Sequence, residues 1–451
     1  MRIFIKTYGC QMNERDSEAG AAMLAERGHE LVGHESEGDV LIFNTCSVRD
    51  QAERKAIGKI GFMKKLKKER PELIIGVMGC MAQNRGEDLF RELPHIDFVI
   101  GTGQLHRLVD IVESIAEDRQ SQVALLDSDN AVLTGMGAHW KNSIFDSIAI
   151  TRGCNRFCNY CIVPYVRGRE ISREIADIVA EANELVAGGT RELMLLGQNV
   201  AAFGLGGDTN PPPHDHSPFA DLLKELCKIE GLKRLRFTSP YPSYFNDKLI
   251  NTIGANPKIC RHIHLPAQSG SDRILKAMNR NYTTTQYREI VKKLRALMPN
   301  VTFSTDIIVG FPGETEEDFN ATRALMNEVN FDNAYIFKYS PRQGTVAAKL
   351  EDDVPQETKE QRNQILLSDL SERSIKFNAT LNGTIQEVLV EGVSKRNATR
   401  WSGKTTNSKT VIFVPTPGIK PGDLVNVKIN RVTAMSLFGK IIDKDSAATE
   451  K

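Results

Sequence analysis

A chain of 451 residues is too long for a single hydrophobic core and calls for about two to four domains. With 41% hydrophobic and 25% charged residues it has the composition of an ordinary globular protein, and no stretch approaches the ~18 apolar residues of a membrane helix. A formal charge of +1 excludes a chain-wide attraction to nucleic acid or membrane, so any such affinity must come from local patches.

The opening "MRIFIKTYGC" holds one apolar turn before polar residues, too short for a secretory segment, and a cytoplasmic location is expected. In that reducing compartment the eight cysteines read as metal ligands or redox groups rather than as a disulfide framework. Buried-strand runs then alternate with helical stretches: "RIFIKTYG" and 14–28, "DVLIFNTCSV" and 51–70, "LIIGVMGC" and 84–93, "DFVIG" and 104–117. This order predicts an α/β domain with a doubly wound parallel sheet over 1–120. Cys10, Cys46 and Cys80 each fall at, or one position past, the end of a different predicted strand. Open parallel sheets bind ligands at the carboxyl ends of their strands, so the three are expected to converge on one edge. Taken singly, each reads as a small buried hydrophobe. The stretch 54–70 carries eight Lys or Arg and reads as a solvated helix or a phosphate contact.

After a polar link near 127–141 the alternation restarts over 140–377 with six strands, "SIAITRG", "ELMLLGQNV", "LKRLRFTS", "HIHLPAQ", "VTFSTDIIVGF" and "NAYIFKYS". Helices are expected to begin near Arg173, Phe219, Phe245, Asp272 and Glu316. Six such units with right-handed crossovers curl into a partial (β/α)6 barrel whose reactive groups lie at the strand C-termini. The first of those loops, "GCNRFCNYCIVPYVRGRE" (153–170), brings Cys154, Cys158 and Cys161 together. Structural zinc is closed by four ligands, commonly from two separated CxxC pairs, and this chain has no second pair. Three thiolates from one loop can hold three irons of a 4Fe-4S cluster and leave the fourth iron open to a substrate or cofactor. A zinc site completed by a distant histidine is the alternative. The stretch 204–218 is too rich in Gly and Pro for regular structure, and its His214 and His216 read as surface polarity or metal ligands. Cys227 and Cys260 lie in helix-like surroundings without partners and read as structural.

A helix over 355–377 leads to short β-rich runs from 384 on, "TIQEVLVEGVS", "KTVIFVP" and "LVNVKINRVTAMSLFGKI", which predict a small all-β barrel over 378–443. Between 378 and 441 there are nine Lys or Arg against three Asp or Glu. With Trp401 and Phe413 nearby, the segment reads as an RNA surface of cations and stacking rings, or as a solvated basic face over core aromatics.

The cysteine loop, with Tyr160 inside it and a strand before it, resembles the radical S-adenosylmethionine (SAM) superfamily. Joined to "TYGCQMN", "NTCSVRD", "GCMAQ" and the basic C-terminal barrel, it makes nearly all of the chain resemble the radical SAM methylthiotransferases, and within them the MiaB-type branch. The resemblance implies two 4Fe-4S clusters, one on Cys154, Cys158 and Cys161 with SAM chelating its bare iron, and an auxiliary one on Cys10, Cys46 and Cys80. It implies that the C-terminal module is a TRAM domain that binds RNA. It further implies that one SAM methylates sulfur at the auxiliary cluster, and that another yields the radical abstracting hydrogen from C2 of N6-isopentenyladenosine at tRNA position 37. The partners implied are the tRNA anticodon stem-loop, SAM, an electron donor of flavodoxin or ferredoxin type and a sulfur donor, with no membrane. Such chemistry needs no strong side-chain acid, and no catalytic side chain is assigned. Segments resembling the family's cofactor pocket contribute Gly197, Gln198, Asn199, Ser239, His264, Gln268, Asp306, Gly310 and Glu314. Each of these also reads as a loop-former or helix cap, and Thr315 with Asp318 has capping-box spacing. Arg167 and Arg169 face the methionyl carboxylate, an RNA phosphate or solvent. The chain departs from the family at Val346, where proline is common, and in "SGKTTNSKTVIF", where lysine replaces a frequent arginine. Two other readings stand: a sister enzyme acting on threonylcarbamoyladenosine or a ribosomal-protein aspartate, and an iron-sulfur electron carrier with an RNA-binding tail, whose clusters four ligands would seal.

Overall fold

The computed structural model describes residues 1–47, 50–125, 139, 143–206, 212 and 214–442; the link expected at 127–141 lies outside them apart from residue 139. The first domain runs β1 (Arg2–Thr7), α1 (Gln11–Glu26), β2 (Glu30–Leu31), β3 (Val40–Thr45), α2 (Asp50–Glu69), β4 (Ile74–Gly79), α3 (Cys80–Arg85), α4 (Asp88–Glu92), β5 (Phe98–Ile100), α5 (Leu108–Asp118) and β6 (Gln122–Ala124). Its sheet has the order β2-β1-β3-β4-β5-β6 with every pair parallel. β3 and β4 are buried at every position because helices cover both sheet faces, which is why their sequences are unbroken apolar runs. Ile42, Leu108 and Ile111 pack on one face, and Phe43, Ile60 and Val77 on the other. The winding reverses between β1 and β3, and this switch point opens a crevice at the strands' carboxyl ends. The helix expected over 84–93 is instead the pair α3 and α4, divided where Gly86 takes φ 49°.

The central domain contains β7 (Phe145–Ala149), β8 (Thr151–Arg152), α6 (Val163–Arg167), β9 (Ile171–Ser172), α7 (Ile175–Ala187), β10 (Glu192–Leu196), α8 (Pro218–Lys228), β11 (Arg234–Phe237), α9 (Asp247–Ala255), β12 (His262–His264), α10 (Asp272–Ala277), α11 (Thr284–Leu297), β13 (Thr302–Val309), α12 (Glu316–Val329) and β14 (Asn333–Lys338). Parallel trios β7-β10-β11 and β12-β13-β14 are joined by a single parallel bridge, Leu235 to Ile259, giving six strands of an open barrel. One apolar cluster fills the space between strands and outer helices. The register puts Met194 and Arg236 on one inner face, and His264, Ser304, Asp306 and Tyr335 on the facing one. The helical segment expected from Asp272 is two helices, because Thr283 and Gln286 form a capping box that starts α11 afresh. The capping box of Thr315 and Asp318 opens α12 as its spacing predicts.

α13 (Gln356–Thr380) leads into a closed barrel of β15 (Ile385–Ser394), β16 (Asn397–Lys404), β17 (Thr410–Phe413), β18 (Leu424–Val432) and β19 (Leu437–Ile442), in the order β15-β16-β17-β19-β18. Its β16–β17 turn docks on the N-terminal end of the central strands. The Arg236 guanidinium donates to the carbonyls of Thr405 (2.9 Å) and Thr406 (3.1 Å) and to Ser408 Oγ (2.7 Å), while Glu192 holds its other side at 2.7 Å. Asn407 Nδ2 donates to the Asn300 carbonyl at 2.7 Å, and Lys409 pairs with Asp332.

Candidate functional site: two neighbouring cysteine trios

Cys10 and Cys46 follow β1 and β3, the strands that flank the switch point, and Cys80 follows β4, the next strand along. Cys46 and Cys80 are 1% exposed and Cys10 is half-buried. Gly79 makes the turn that aims Cys80 into the crevice: its φ is +97°, and a Cβ there would lie 2.3 Å from Asn44 Oδ1 and 2.6 Å from the Thr45 carbonyl. Asn13 sits at the centre. Its Nδ2 donates to the Thr45 carbonyl (2.9 Å) and Asn44 Oδ1 (3.1 Å), and its Oδ1 receives the thiols of Cys10 (3.7 Å) and Cys80 (3.9 Å). Burial pushes the Cys80 thiol up to about 12, against the pull of the Arg167 guanidinium beside it.

Arg167 comes from the other domain. Its Nη2 donates to Asn13 Oδ1 at 2.8 Å and to Asp16 Oδ2 at 2.9 Å, and Arg152 bonds the second oxygen of Asp16. Asp16 is the only carboxylate bonded to either arginine among the described residues, so two buried guanidinium charges share one buried carboxylate. A buried surplus cation is costly unless an anion lies within reach. The groups that reinforce the charge of Arg167, besides Asp16, are Cys80 and Cys10.

The second trio lies in the loop closed by the antiparallel pair β8 and β9, with Cys154 N donating to the Gly168 carbonyl at 3.1 Å. Gly153 has φ +79°, and a Cβ there would lie 2.1 Å from the Arg169 carbonyl oxygen. The amides of Arg156 and Val163 point at the sulfurs of Cys154 and Cys161, where they favour thiolate. Burial works against them and raises both thiols, Cys161 to about 12. Arg280, buried and stacked 4.1 Å over the Tyr241 ring, donates from Nη1 to Cys158 Sγ at 3.7 Å. The trios are neighbours, since Cys80 packs against Ile162 and Val166, one and five residues after Cys161 in the chain. Among the described residues no three potential ligands gather around a single metal ion; a cubane takes each thiolate on a different iron.

Beside the second trio the strand ends carry buried polar atoms that have no partner among the described residues: Thr151 Oγ1, Gln198 Oε1, Asn199 Nδ2 and Glu314 Oε1. Gly197 lets this cradle form, as a Cβ there would lie 2.3 Å from Thr151 Oγ1. Ser239 (φ 56°) and Gln268 (φ 66°) hold left-handed backbone just past β11 and β12, strain that the surrounding fold sustains at the barrel mouth. Gly310 N donates to Glu314 Oε2 at 2.6 Å, and Arg362 binds the same oxygen at 2.8 Å, so Glu314 also braces its own turn. His264 and Asp306 lie 3.5 Å apart on the inner face, with the His264 ring against Tyr335, itself 48% exposed.

Several sequence expectations change. Arg167 meets neither solvent nor an open pocket, but the first trio; Arg169 stacks on Phe157 at 4.7 Å. Phe413 is 1% exposed in the core of the C-terminal barrel and offers no ring to a base. The stretch "SGKTTNSKTVIF" contains the docking turn: Lys409 pairs with Asp332 across the domain contact, whereas Lys404 pairs with Glu391 within the barrel and keeps 43% of its side chain exposed. The basic groove lies elsewhere on that barrel, about 440 Å³, lined by Arg400, Val414, Arg431, Phe438 and Lys440, with Arg431 stacked 3.5 Å over Phe438. His214 and His216 are exposed. Asn13, Asp16, Arg152 and Arg280 went unassigned in the sequence. The first two belong to a polar run, Asn13, Arg15, Asp16 and Ser17, that α1 buries where an ordinary amphipathic helix would expose it, a feature the structure shows and the sequence does not mark.

Residues 2–101 match the family described as "Uncharacterized protein family UPF0004", 148–326 match the Radical SAM superfamily and 379–442 the TRAM domain. A protein of Opitutus terrae named tRNA-2-methylthio-N(6)-dimethylallyladenosine synthase is 46% identical over 98% of this chain and 97% of its own. Proteins of the same name from Akkermansia muciniphila and Clostridium botulinum (strain Hall) are 43% and 45% identical, each over 97% of this chain and 98% and 96% of theirs. Among solved structures, the radical S-adenosylmethionine methyltransferase TsrM of Kitasatospora setae superposes with a TM-score of 0.56 over 86% of this chain and 78% of that one, at 14% identity, a likeness of fold.

Proposed function

Since the chain belongs to the tRNA-2-methylthio-N(6)-dimethylallyladenosine synthase family and carries a radical SAM and a TRAM domain, we propose that it inserts a methylthio group at C2 of N6-isopentenyladenosine at position 37 of tRNA. The family makes it a radical SAM enzyme of tRNA modification, with a 4Fe-4S cluster and SAM as cofactors. A second cluster is our reading, and the observation that carries it is the pair of adjacent cysteine trios, the first facing an unbalanced buried guanidinium.

The donor sets fit the groups assigned to them. Cys154, Cys158 and Cys161 would hold the radical cluster, with two backbone amides and Arg280 directed at their sulfurs. Gln198 and Asn199 would take the amino and carboxylate groups of SAM, and the Gly310 turn the adenosyl face. Cys10, Cys46 and Cys80 would hold the auxiliary cluster. When bound, these groups supply one-electron cleavage of the sulfonium bond and a site for the sulfur that is transferred. The protein's own part is placement. The apolar layer of Ile162 and Val166 keeps the trios adjacent but separate. The inner face near His264, Asp306 and Tyr335 would receive the base, which leaves its stack more cheaply in a single-stranded anticodon loop than in a duplex. The groove of Arg400, Arg431, Phe438 and Lys440 would hold the RNA backbone. A flavodoxin- or ferredoxin-type electron donor, a separate sulfur donor and a cytoplasmic setting complete the reading; among the described residues no helix is long and apolar enough to cross a membrane.

Mass spectrometry of tRNA nucleosides tests it. Expression of this chain in a strain lacking 2-methylthio-isopentenyladenosine should restore that nucleoside. Accumulation of unmodified isopentenyladenosine despite loaded enzyme would overturn the assignment, and methylthiolation of threonylcarbamoyladenosine would move it to the sister branch. A change in the cluster EPR spectrum on adding SAM is expected; an unchanged spectrum would favour an electron carrier.

A further inference from the structure

Arg167 stands six residues after Cys161, at the end of the helix that follows the radical-cluster loop, yet its side chain ends in the other trio. It is 2% exposed, and its Nη1 is buried with no hydrogen-bond partner among the described residues. Nη2 is fixed by Asn13 Oδ1, the same oxygen that receives the thiols of Cys10 and Cys80, and by Asp16. Asp16 is already shared with Arg152, so it cannot neutralise both guanidinium groups. The guanidinium therefore keeps much of its charge for whatever Cys10, Cys46 and Cys80 hold. A thiolate-bound cubane is anionic, and a hydrogen-bond donor with positive charge at one of its sulfurs stabilises the more negative, reduced form.

We propose that Arg167 is a positioning residue for the auxiliary cluster: its guanidinium, carried on the radical-cluster loop and bridged by Asn13, is directed at the Cys80 side of the first trio and raises the reduction potential of the cluster bound there. The inference rests on the two-cluster reading above. It gives the two trios a physical link, because the loop that shapes one also delivers the counter-charge of the other. Asp16 opposes that charge, and Arg152 in turn limits the opposition.

The test uses the full chain with Cys154, Cys158 and Cys161 all changed to alanine, so that only the first trio can bind a cluster after anaerobic reconstitution. Iron, acid-labile sulfide and the EPR-monitored midpoint potential are measured in this parent and in its Arg167→Met, Arg167→Lys and Asp16→Asn derivatives. Arg167→Met should shift the potential negative, Arg167→Lys should recover part of the shift, and Asp16→Asn should shift it positive by freeing the guanidinium. A midpoint in Arg167→Met equal to that of the equally loaded parent would overturn the role of Arg167 and leave the second cluster standing. Shifts of the same sign in Arg167→Met and Asp16→Asn would also overturn it, as general loosening of the site. Should Arg167→Met fail to load, retained loading in Arg167→Lys upholds the role and equal loss in both removes it. A parent that binds no iron or sulfide overturns the second cluster itself, and the proposal with it.

Discussion

Cys158 and Cys46 occupy trios of equal size with different neighbours, Arg280 and its tyrosines for one, the first-domain crevice for the other. Their loss should therefore have unequal results. Cys158→Ala is expected to abolish deoxyadenosine formation, whereas Cys46→Ala should retain some of it and stop methylthio transfer; chromatography of both products in one assay reads the difference. Gly153 is a second point of sensitivity. An alanine there would have to hold φ +79° with its Cβ 2.1 Å from a carbonyl oxygen, strain of about 1–3 kcal/mol before any clash is relieved. Gly153→Ala should lower the iron bound by the second trio while the first still loads. His262 supplies a pH effect. Burial, then Arg236, presses its pKa down to about 3, while an unfolded histidine titrates near 6.5. The unfolded chain thus takes up a proton that the folded chain refuses, so stability is full above pH ~6.5 and falls as the pH drops toward 3. His262→Gln should flatten the urea midpoint of the metal-free chain across that window.

Elements differed in how plainly the sequence announced them. β3 and β4 were legible because a strand covered on both faces must be apolar throughout, and the capping box of Thr315 and Asp318 because it is local. β2, with the two residues Glu30–Leu31, and β6, with Gln122–Ala124, were not; short edge strands owe their existence to the neighbour they pair with. The six cysteines stood out because thiolate chemistry has few substitutes, but the Asn13, Asp16 and Arg167 network depends on side chains separated by up to 154 positions, a closeness no local pattern encodes. The same holds for the β16–β17 turn, part of a segment that read as an RNA surface or as a solvated basic face, whose residues 405–408 make a domain contact. Arg236 is its buried anchor, and truncating it leaves Glu192 only its longer ion pair with Arg234 at 3.9 Å. Arg236→Met should destabilise the C-terminal barrel's attachment by about 1–3 kcal/mol, seen as faster proteolytic release of that barrel while its own strands stay paired.

At the scale of the molecule, the near-zero total charge hides a basic groove on the smallest domain. If Arg400, Arg431 and Lys440 each contact a phosphate, changing all three to alanine should weaken tRNA binding and lower the slope of log Kd against log salt by about two to three. A neutral polar contact would weaken binding and leave the slope alone.

The docked turn of the C-terminal barrel has one more consequence. With residues 405–409 seated under Arg236, the N-terminal end of the central strands is covered, which leaves the rim where the cysteines stand as the open end of those strands among the described residues. A nucleoside cofactor and a polynucleotide that both used that end would share a doorway, and the expected order is that the small guest enters first, the large one closes over it, and the cleaved nucleoside waits for the large one to leave. Saturating tRNA should accordingly slow the exchange of labelled cofactor already inside.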